Sequence, residues 1–146
     1  MEINNKHTYN FSHARTAFKY GLMQLKIKKN KSILIPDFIC DSILEPINNL
    51  GIQYKYYQIL DDLEPNWELL NKNIDKNDYA ILMVHYFGQP QKIVNFKSFC
   101  DKHSLLLVED NAHGHGGKYQ NKLLGTFGKI GFSSPRKNFN LDFGGI

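Results

Sequence analysis

Residues 105–117 read LLLVEDNAHGHGG, and this stretch decides how the rest of the chain can be arranged. Its apolar start is short and is followed at once by two acids and small polar residues, which is typical of a buried strand. Ligands of open α/β sheets bind just beyond the carboxyl ends of the strands. Asp110 and His113 follow this strand, and Lys137 follows the next strand that we predict. We therefore expect these three side chains to lie together at a ligand site.

Segments with helical and with strand-like spacing alternate through most of the chain. Short apolar or β-branched runs predict strands, and apolar residues that recur every three or four positions predict helices. The predicted strands are residues 32–35, 53–59, 79–86, 105–108 and 130–133, and the predicted helices are residues 12–27, 42–50, 67–74 and 93–103, with a small hairpin at 118–124. This order predicts an α/β fold with a mostly parallel sheet and helices on both faces.

Local signals indicate where several elements begin or turn. Ser12 is a suitable N-cap for the first helix, since its hydroxyl can accept a backbone N–H. Pro46 is compatible with the second helix only when that helix begins near Ser42, which puts the proline in the first turn. Gln120 and Asn121 suit the tight turn of the hairpin.

The composition indicates an ordinary globular domain. The chain has 146 residues, of which 42% are hydrophobic and 22% charged, and its formal net charge is +4. The two cysteines show no CxxC spacing, so we expect free thiols and no metal site. No apolar stretch approaches the length of a membrane span and the polar start is no signal peptide, so we expect a cytoplasmic protein without membrane or nucleic-acid partners. The lysines favour a solvated basic face, with weak attraction to anionic substrates such as nucleotides as the alternative.

Short motifs occur in one order along nearly the whole chain, and together they resemble the N-terminal part of the DegT-type sugar aminotransferases. The motifs are SHARTA (12–17), IPDF (35–38), VHYFGQP (84–90), VEDNAH (108–113), GTFG (125–128) and SSPRKN (133–138) followed by GG (144–145). These relatives are pyridoxal-phosphate enzymes of the aspartate-aminotransferase fold, fold type I. The resemblance implies that residues 1–146 form a truncated, partial cofactor-binding large domain without the C-terminal small domain. It also implies a homodimer, because a second subunit completes the site in this family.

The resemblance implies direct roles at the cofactor for three residues. Lys137 would form the Schiff base with pyridoxal 5'-phosphate and then move protons across its face, and burial would favour the deprotonated amine that this needs. Asp110 would pair with the protonated ring nitrogen as a fixed anion, and His113 would contact the ring on its oxygen side. We predict that Glu109 is structural, because it alternates to the opposite face of the strand, and that His115 is a packing residue.

Other motif residues would hold the rest of the cofactor. Phe38 would stack on the ring, and Ser133 would add a hydroxyl to the phosphate. A helix N-terminus supplies free N–H groups and a positive dipole end, and here it would hold the phosphate at Ala14, Arg15 and Thr16. The serine stands one residue nearer the lysine than in many relatives, which resembles a divergent branch of the family.

The function that the resemblance implies is amino transfer to a nucleotide-linked keto-sugar in surface-polysaccharide or related sugar biosynthesis, with glutamate as the expected amino donor. Lys137 favours this reaction over that of related dehydratases, which carry histidine in its place. His85 and Gln89 are interpreted as loop-shaping or substrate-side residues. One alternative is a non-catalytic remnant that folds, dimerises or binds a partner. The other is an unrelated doubly wound nucleotide-binding domain, which is disfavoured because neither G-x-G-x-x-G nor a P-loop occurs.

Overall fold

A five-stranded parallel sheet forms the centre of the computed structural model, which describes residues 8–146. Its strands are β1 (Ser32–Pro36), β2 (Gln53–Tyr57), β3 (Asp78–Val84), β4 (Leu106–Asn111) and β7 (Ile130–Ser133), with β5 (Lys118–Tyr119) and β6 (Lys122–Leu123) forming a separate hairpin. The order in the sheet is β2-β1-β3-β4-β7, and every neighbouring pair is parallel. The predicted α/β class is therefore confirmed.

Helices cover both faces of this sheet. They are α1 (Ala14–Leu25), α2 (Leu44–Asn49), α3 (Trp67–Asn73) and α4 (Ile93–His103). Leu82 and Met83 are adjacent in β3 and enter different cores, one shared with Phe18 of α1 and the other with Phe96 of α4. A strand buried on both faces needs this nearly continuous apolar sequence. Within residues 8–146 no helix is long and apolar enough to cross a membrane.

The first helix begins one residue later than its predicted cap. Its N-cap is His13, which has an extended backbone, and the hydroxyl of Ser12 lies 3.1 Å from Nδ1 of His13 and caps no helix N–H. The prediction that Ser12 caps α1 is therefore wrong. The helix ends at Leu25, two residues before the predicted end, because Lys26 adopts a left-handed φ of 50° and its N–H bonds to the carbonyl of Met23.

The two central strands end at different places from those predicted. β4 runs over Leu106–Asn111, so Asp110 lies inside the strand and not beyond it. β3 ends two residues early, because Tyr86 begins a short 3-10 turn in which Phe87 has a left-handed φ of 53°. The backbones remain paired just past β3, where the N–H of His85 donates to the carbonyl of Asp110. The segments that leave these two strands therefore start side by side.

Two other local predictions are confirmed. Pro46 is the third residue of α2 and so lies in its first turn, after a 3-10 turn at Asp41–Ile43. Gln120 and Asn121 have φ values of 47° and 63°, the pair of left-handed residues that a type I′ hairpin turn requires.

The last residues of the chain lie between the end of β7 and the start of α1. Ile146 exchanges two backbone hydrogen bonds with Ser133, at 2.8 and 3.1 Å. Gly145 exchanges two more with Phe11, at 2.7 and 2.8 Å. A Cβ atom on Gly145 would collide with the backbone of His13, so the close approach requires glycine. These contacts hold the N-terminus of α1 at the carboxyl edge of the sheet.

Candidate functional site

The carboxyl edge of the sheet collects the predicted site residues. The strands are parallel, so the segments that follow them all start at this edge. Phe38 follows β1, Asp110 lies near the end of β4 and Ser133 ends β7. Lys137 closes the 3-10 turn Pro135–Lys137 that follows β7. Together with the N-terminus of α1, the structure thus brings all the predicted groups to one side of the molecule.

Asp110 is a half-buried acid at the centre of this edge. Its Oδ1 accepts the N–H of Ala112 at 2.9 Å. Burial raises the pKa of Asp110 to about 6, although that N–H and the positive charge of Lys137 act in the opposite direction. Burial removes water from the ionised carboxylate, and few protein groups replace it, so a cation placed beside the carboxylate would stabilise the ionised form. Asp110 is therefore suited to hold a cationic group.

Lys137 is an exposed lysine at the end of a short turn. Its backbone N–H bonds to the carbonyl of Ser134 at 3.0 Å. Its positive charge lowers the pKa of Asp110 against the effect of burial, and it also lowers that of His113, so the amine lies within electrostatic reach of both. The burial predicted for the amine of Lys137 is not observed within residues 8–146, where this residue is exposed.

His113 lies on the glycine-rich loop after β4. Its ring is nearly parallel to that of Phe87, with an interplanar angle of 9° and centroids 6.2 Å apart. Nδ2 of Asn138 donates to the carbonyl of His113 at 3.1 Å, which ties this loop to the segment that carries Lys137. Partial burial, with the charge of Lys137, lowers the pKa of His113 and favours a neutral imidazole at pH 7. Its predicted contact with the cofactor stays a prediction.

The N-terminus of α1 presents two backbone N–H groups. In the described part of the chain, the N–H groups of Ala14 and Arg15 have no protein acceptor, whereas that of Thr16 bonds to the carbonyl of His13 at 3.0 Å. The guanidinium of Arg15 lies 3.6 Å from the carboxylate of Glu45 on α2. Ala14 and Arg15 can therefore offer main-chain donors to an anion, and Thr16 can offer its side chain.

Ser133 is buried at the end of β7, and its hydroxyl already has a partner. Nδ1 of His115 lies 2.8 Å from Oγ of Ser133. Burial lowers the pKa of His115, which favours the neutral imidazole at pH 7. The ring also meets Phe139 edge to face at 6.1 Å. The packing role that the sequence predicts for His115 is therefore incomplete, because its ring bonds directly to a predicted phosphate ligand.

Phe38 lies at the rim of the edge with 54% of its surface exposed. Its ring is 5.5 Å from that of Tyr86 and tilted by 34°. The hydroxyl of Tyr86 donates to the carbonyl of Phe38 at 2.8 Å, and burial raises the pKa of Tyr86, which keeps it a phenol. Phe38 thus has an accessible face, and its stacking role stays a prediction. Tyr86 supports it, a role that sequence reasoning missed because it treats this residue as part of a strand.

Cys40 is a second residue of this region that the sequence analysis does not single out. It is an exposed free thiol, and its Sγ accepts the hydroxyl of Ser42 at 3.2 Å. That hydroxyl, together with the nearby charge of Lys137, lowers the pKa of Cys40. No spacing in the sequence signals this neighbourhood, because only the fold brings the loop after β1 towards the turn after β7.

A buried pair, His85 and Glu109, supports the site from behind. The carboxylate of Glu109 accepts Nε2 of His85 at 2.9 Å and three backbone N–H groups of residues 125–128 at 2.6 to 2.8 Å. Nδ1 of His85 accepts the N–H of Gln91 at 3.1 Å, which leaves the ring hydrogen on Nε2. The structural role predicted for Glu109 is confirmed, and of the two roles weighed for His85 the contacts support loop-shaping. The role of Gln89 stays a prediction.

The side chains at this edge indicate which chemical groups a ligand there would need. In residues 8–146 no group of three or more His, Cys, Asp or Glu side chains is placed to hold a metal ion. The edge instead offers an acid for a cation, an amine beside it, and main-chain donors with a hydroxyl for an anion. An aromatic heterocycle that carries a phosphate matches these groups in kind.

The fold belongs to the α/β class of the type I pyridoxal-phosphate enzymes. It superimposes on the Escherichia coli GDP-4-keto-6-deoxy-D-mannose-3-dehydratase with bound hydrated PLP with a TM-score of 0.82 and 25% identity. The match covers 94% of this chain and 38% of that one.

The chain is a member of the DegT/DnrJ/EryC1/StrS aminotransferase family, whose sequence profile matches residues 2–146. It is 28% identical over 126 residues to the GDP-perosamine synthase of Vibrio cholerae, a match that covers 86% of this chain and 34% of the relative. It is 29% identical over 111 residues to the GDP-4-keto-6-deoxy-D-mannose 3-dehydratase of Escherichia coli O55:H7, which covers 75% of this chain and 29% of the relative. The chain thus spans about a third of the length of the curated relatives it matches, at their N-terminal part.

Proposed function

We propose that this chain is the N-terminal part of the cofactor-binding domain of a pyridoxal-phosphate-dependent aminotransferase that acts on a nucleotide-linked keto-sugar. The observation that carries the proposal is the placement of Asp110 and Lys137 at one edge of the sheet: Asp110 lies near the end of β4, and Lys137 lies in the turn after the neighbouring parallel strand β7. The half-buried Asp110 has a raised pKa, and the charge of Lys137 reaches it. Family membership and the relatives named for GDP-linked sugars support the same reading.

The residues at the edge fit pyridoxal 5'-phosphate group by group. Asp110 would hold the cationic ring nitrogen, whose positive charge would offset the effect of burial on the pKa of Asp110. The N–H groups of Ala14 and Arg15, with the hydroxyl of Ser133, would hold the phosphate. The exposed face of Phe38 would cover one side of the ring, and the neutral His113 would approach its oxygen side.

The chemistry of amino transfer divides between the cofactor and this chain. When bound, the cofactor supplies a carbonyl that carries the amino group and a ring that accepts electrons. The amine of Lys137 would hold the cofactor and then move a proton between the carbons on either side of the transferred nitrogen. Asp110 would keep a hydrogen on the ring nitrogen, because its ionised form is stabilised by that positive charge.

Lys137 also separates two chemistries that occur among the relatives. One relative is named as a synthase of an amino sugar and another as a dehydratase. A Schiff base with the cofactor needs a primary amine, which lysine has and histidine lacks, and the same amine can also move the proton. Lys137 therefore supports transfer of an amino group, with glutamate as the donor and surface-polysaccharide or related sugar biosynthesis as the setting.

The surroundings of the protein are part of the same proposal. Nucleotide-linked sugars are anionic, and the net charge of +4 favours their approach. Cys40 and Cys100 are both free thiols, which agrees with a reducing cytoplasm. Lys137 and Phe38 are exposed at the edge, so a second copy of the chain that covers them would complete the site as a homodimer.

An absorbance titration with pyridoxal phosphate tests the proposal. The protein should develop the visible band of a covalently bound cofactor, and borohydride should fix the added mass on the peptide that contains Lys137. Lys137→Ala should abolish the band, whereas the matched control Lys118→Ala on the β5-β6 hairpin should keep it. A wild-type chain without the band, or an unchanged band in Lys137→Ala, would refute the proposed function.

A second candidate function is a non-catalytic module that folds and associates without turnover. The observation that favours it is a group of exposed apolar side chains at the carboxyl edge, Phe38, Phe87, Phe139, Leu141 and Phe143, each 53–69% exposed. Such a surface is typical of a contact with another chain. Transamination measured with glutamate and a nucleotide-linked keto-sugar separates the two functions, since turnover by the purified chain excludes the non-catalytic one.

A further inference from the structure

The contact between His115 and Ser133 assigns a function to a histidine that the cofactor site leaves unexplained. His115 lies on the loop after β4, and its Nδ1 is 2.8 Å from Oγ of Ser133 at the end of β7. Ser133 is 8% exposed, and both its backbone N–H and its carbonyl are bonded to Ile146. The hydroxyl is therefore the only group of Ser133 that remains for a ligand, and within residues 8–146 its only hydrogen-bond partner is His115.

A serine hydroxyl has a single hydrogen, and this makes the direction of the contact decisive. If the hydroxyl donates to Nδ1, its hydrogen is used and only lone pairs face the ligand. If Nδ1–H donates to Oγ, the hydroxyl hydrogen is free to point elsewhere. The oxygens of a phosphate dianion accept hydrogen bonds, so they bind a hydroxyl only in the second arrangement.

We propose that His115 is a positioning residue of the phosphate site: it donates Nδ1–H to Oγ of Ser133 and thereby directs the serine hydroxyl hydrogen to the phosphate. The inference rests on the proposed function, because it takes Ser133 as a phosphate ligand. It adds a specific tautomer of a specific histidine, and it explains why the ring is held between Ser133 and the edge-on ring of Phe139. His115 itself does not need to touch the phosphate.

The first test compares two amides at position 115. The side-chain nitrogen of Asn can take the place of Nδ1 of histidine, whereas the longer Gln places its amide near the position of Nε2. His115→Asn should therefore keep the donor to Ser133, and His115→Gln should lose it. The affinities of each variant for pyridoxal phosphate and for pyridoxal, which lacks the phosphate, are measured by absorbance titration, and their ratio cancels general effects on folding.

The expected loss is that of one hydrogen bond to a charged acceptor. His115→Gln and Ser133→Ala should each lower the ratio of the two affinities by about 10- to 100-fold, and His115→Asn should restore most of it. The double variant His115→Gln with Ser133→Ala should be no worse than Ser133→Ala alone, because the histidine acts through the serine. Equal losses in His115→Asn and His115→Gln, or a ratio that none of them changes, would overturn the inference.

The second test needs no cofactor. Inorganic phosphate is titrated into the wild-type protein with nitrogen-15-labelled histidine, and the ring-nitrogen shifts report the tautomer of His115. In the wild type we expect phosphate to bind saturably with His115 in the Nδ1–H form, and we expect this binding to be lost in Ser133→Ala. A His115 that stays in the Nε2–H form with phosphate bound, or phosphate binding that Ser133→Ala does not change, would overturn the inference. If the Nδ1–H form is found with phosphate bound but no covalent cofactor band forms, the proposed function fails and the inference stands. If the band forms but His115→Asn and His115→Gln have equal effects, the inference about His115 fails and the proposed function stands.

Discussion

Replacing Glu109 by glutamine tests whether the buried acid behind the site holds the loop at residues 125–128. Oε1 accepts Nε2 of His85 at 2.9 Å and the N–H of Gly125 at 2.7 Å. Oε2 accepts the N–H groups of Phe127 at 2.6 Å and Gly128 at 2.8 Å. All four partners are donors, and the side chain of Glu109 is fully buried. A glutamine has one oxygen only, so its NH₂ group must face two donors in either orientation.

The histidine cannot relieve this conflict by changing its tautomer. If the NH₂ group of the glutamine pointed at His85, Nε2 would have to accept, and the ring hydrogen would move to Nδ1. There it would meet the N–H of Gln91, which donates to Nδ1 at 3.1 Å. Two buried donors therefore remain unsatisfied in Glu109→Gln. At about 1–3 kcal/mol for each, we expect the free energy of unfolding to fall by about 2–6 kcal/mol, a large part of the stability of a small domain.

Urea unfolding followed by the fluorescence of Trp67 measures this loss. Trp67 is the one tryptophan of the chain and packs on Phe96 and Phe99 in the core between the sheet and α4, so its fluorescence reports unfolding. The matched control is Glu45→Gln, because Glu45 is exposed and its ion pair with Arg15 is a single contact of 3.6 Å. This control should change the free energy of unfolding by about 0.5 kcal/mol or less. A loss below about 1 kcal/mol in Glu109→Gln would refute the reasoning from donors and acceptors.

The difference in free energy of unfolding between the wild type and Glu109→Gln should depend on pH, which gives a second check. Burial alone would raise the pKa of Glu109, but the hydrogen bonds from His85 and the loop outweigh it and leave the pKa below its usual value of 4.5. The carboxylate therefore stabilises the fold above pH 4.5, and this contribution is lost as the pH falls through the lowered pKa. We expect the gap between the wild type and Glu109→Gln to be largest near neutral pH and to shrink in acid. A gap that does not change with pH would contradict the assignment.

Three further predictions concern Asp110, the ion pair between Lys55 and Asp78, and Gly145 near the end of the chain. The pKa of Asp110 is about 6 against a usual 3.8, so its stabilising contribution is complete below pH 3.8 and is lost as the pH rises through 6. Between about pH 4 and pH 7, the free energy of unfolding of Asp110→Asn should therefore rise by about 1–3 kcal/mol relative to that of the wild type. Urea unfolding without cofactor measures this difference, and a difference that does not change with pH would count against the prediction. Lys55→Met should lower the free energy of unfolding by about 1–3 kcal/mol, because Nζ of Lys55 lies 2.9 Å from the buried carboxylate of Asp78. The control Lys92→Met removes an exposed ion pair with Glu64 and should lower it by about 0.5 kcal/mol or less. Thermal unfolding compares the two variants, and equal losses would refute the prediction. Gly145→Ala should weaken the affinity for pyridoxal phosphate, because its Cβ would push the backbone of His13 and the N-terminus of α1 away. The control Gly51→Ala also strains the backbone, since Gly51 has a φ of 63°, but Gly51 lies before β2 with nothing within 4 Å of its Cβ, and the affinity should stay unchanged. The same absorbance titration compares the two variants, and equal effects would contradict the role of Gly145.

Much of the fold follows from the sequence because apolar periodicity reports burial on each face. The strand pattern of residues 79–84 and the alternation of helices and strands are sufficient for the parallel sheet. The ends of elements follow less well, because single residues with left-handed backbone decide them. Lys26 ends α1 and Phe87 turns the chain after β3, and neither residue type favours that conformation.

The common location of the predicted site residues followed from the sequence, but their contacts did not. Asp110, Lys137 and Ser133 stand at the ends of predicted strands, and parallel pairing brings strand ends together. The bonds of Glu109 to His85 and of Ser133 to His115 depend on the registers between strands and on the path of the loops. Register is fixed by long-range packing and not by local sequence, so these pairs appear only in the folded chain.

Glu109 and Asp110 illustrate how one strand can supply both a scaffold and a reactive group. Neighbours in a strand point to opposite faces, so the two carboxylates face different surroundings. Glu109 meets four donors, which hold its pKa below the usual value and commit its charge to the protein. Asp110 meets one N–H, and burial raises its pKa to about 6, which leaves its charge available to a ligand. If both acids were equally satisfied by the protein, no cation would gain by binding at this edge; the opposite directions of the two pKa shifts therefore support the proposal that Asp110 is the acid available to a ligand.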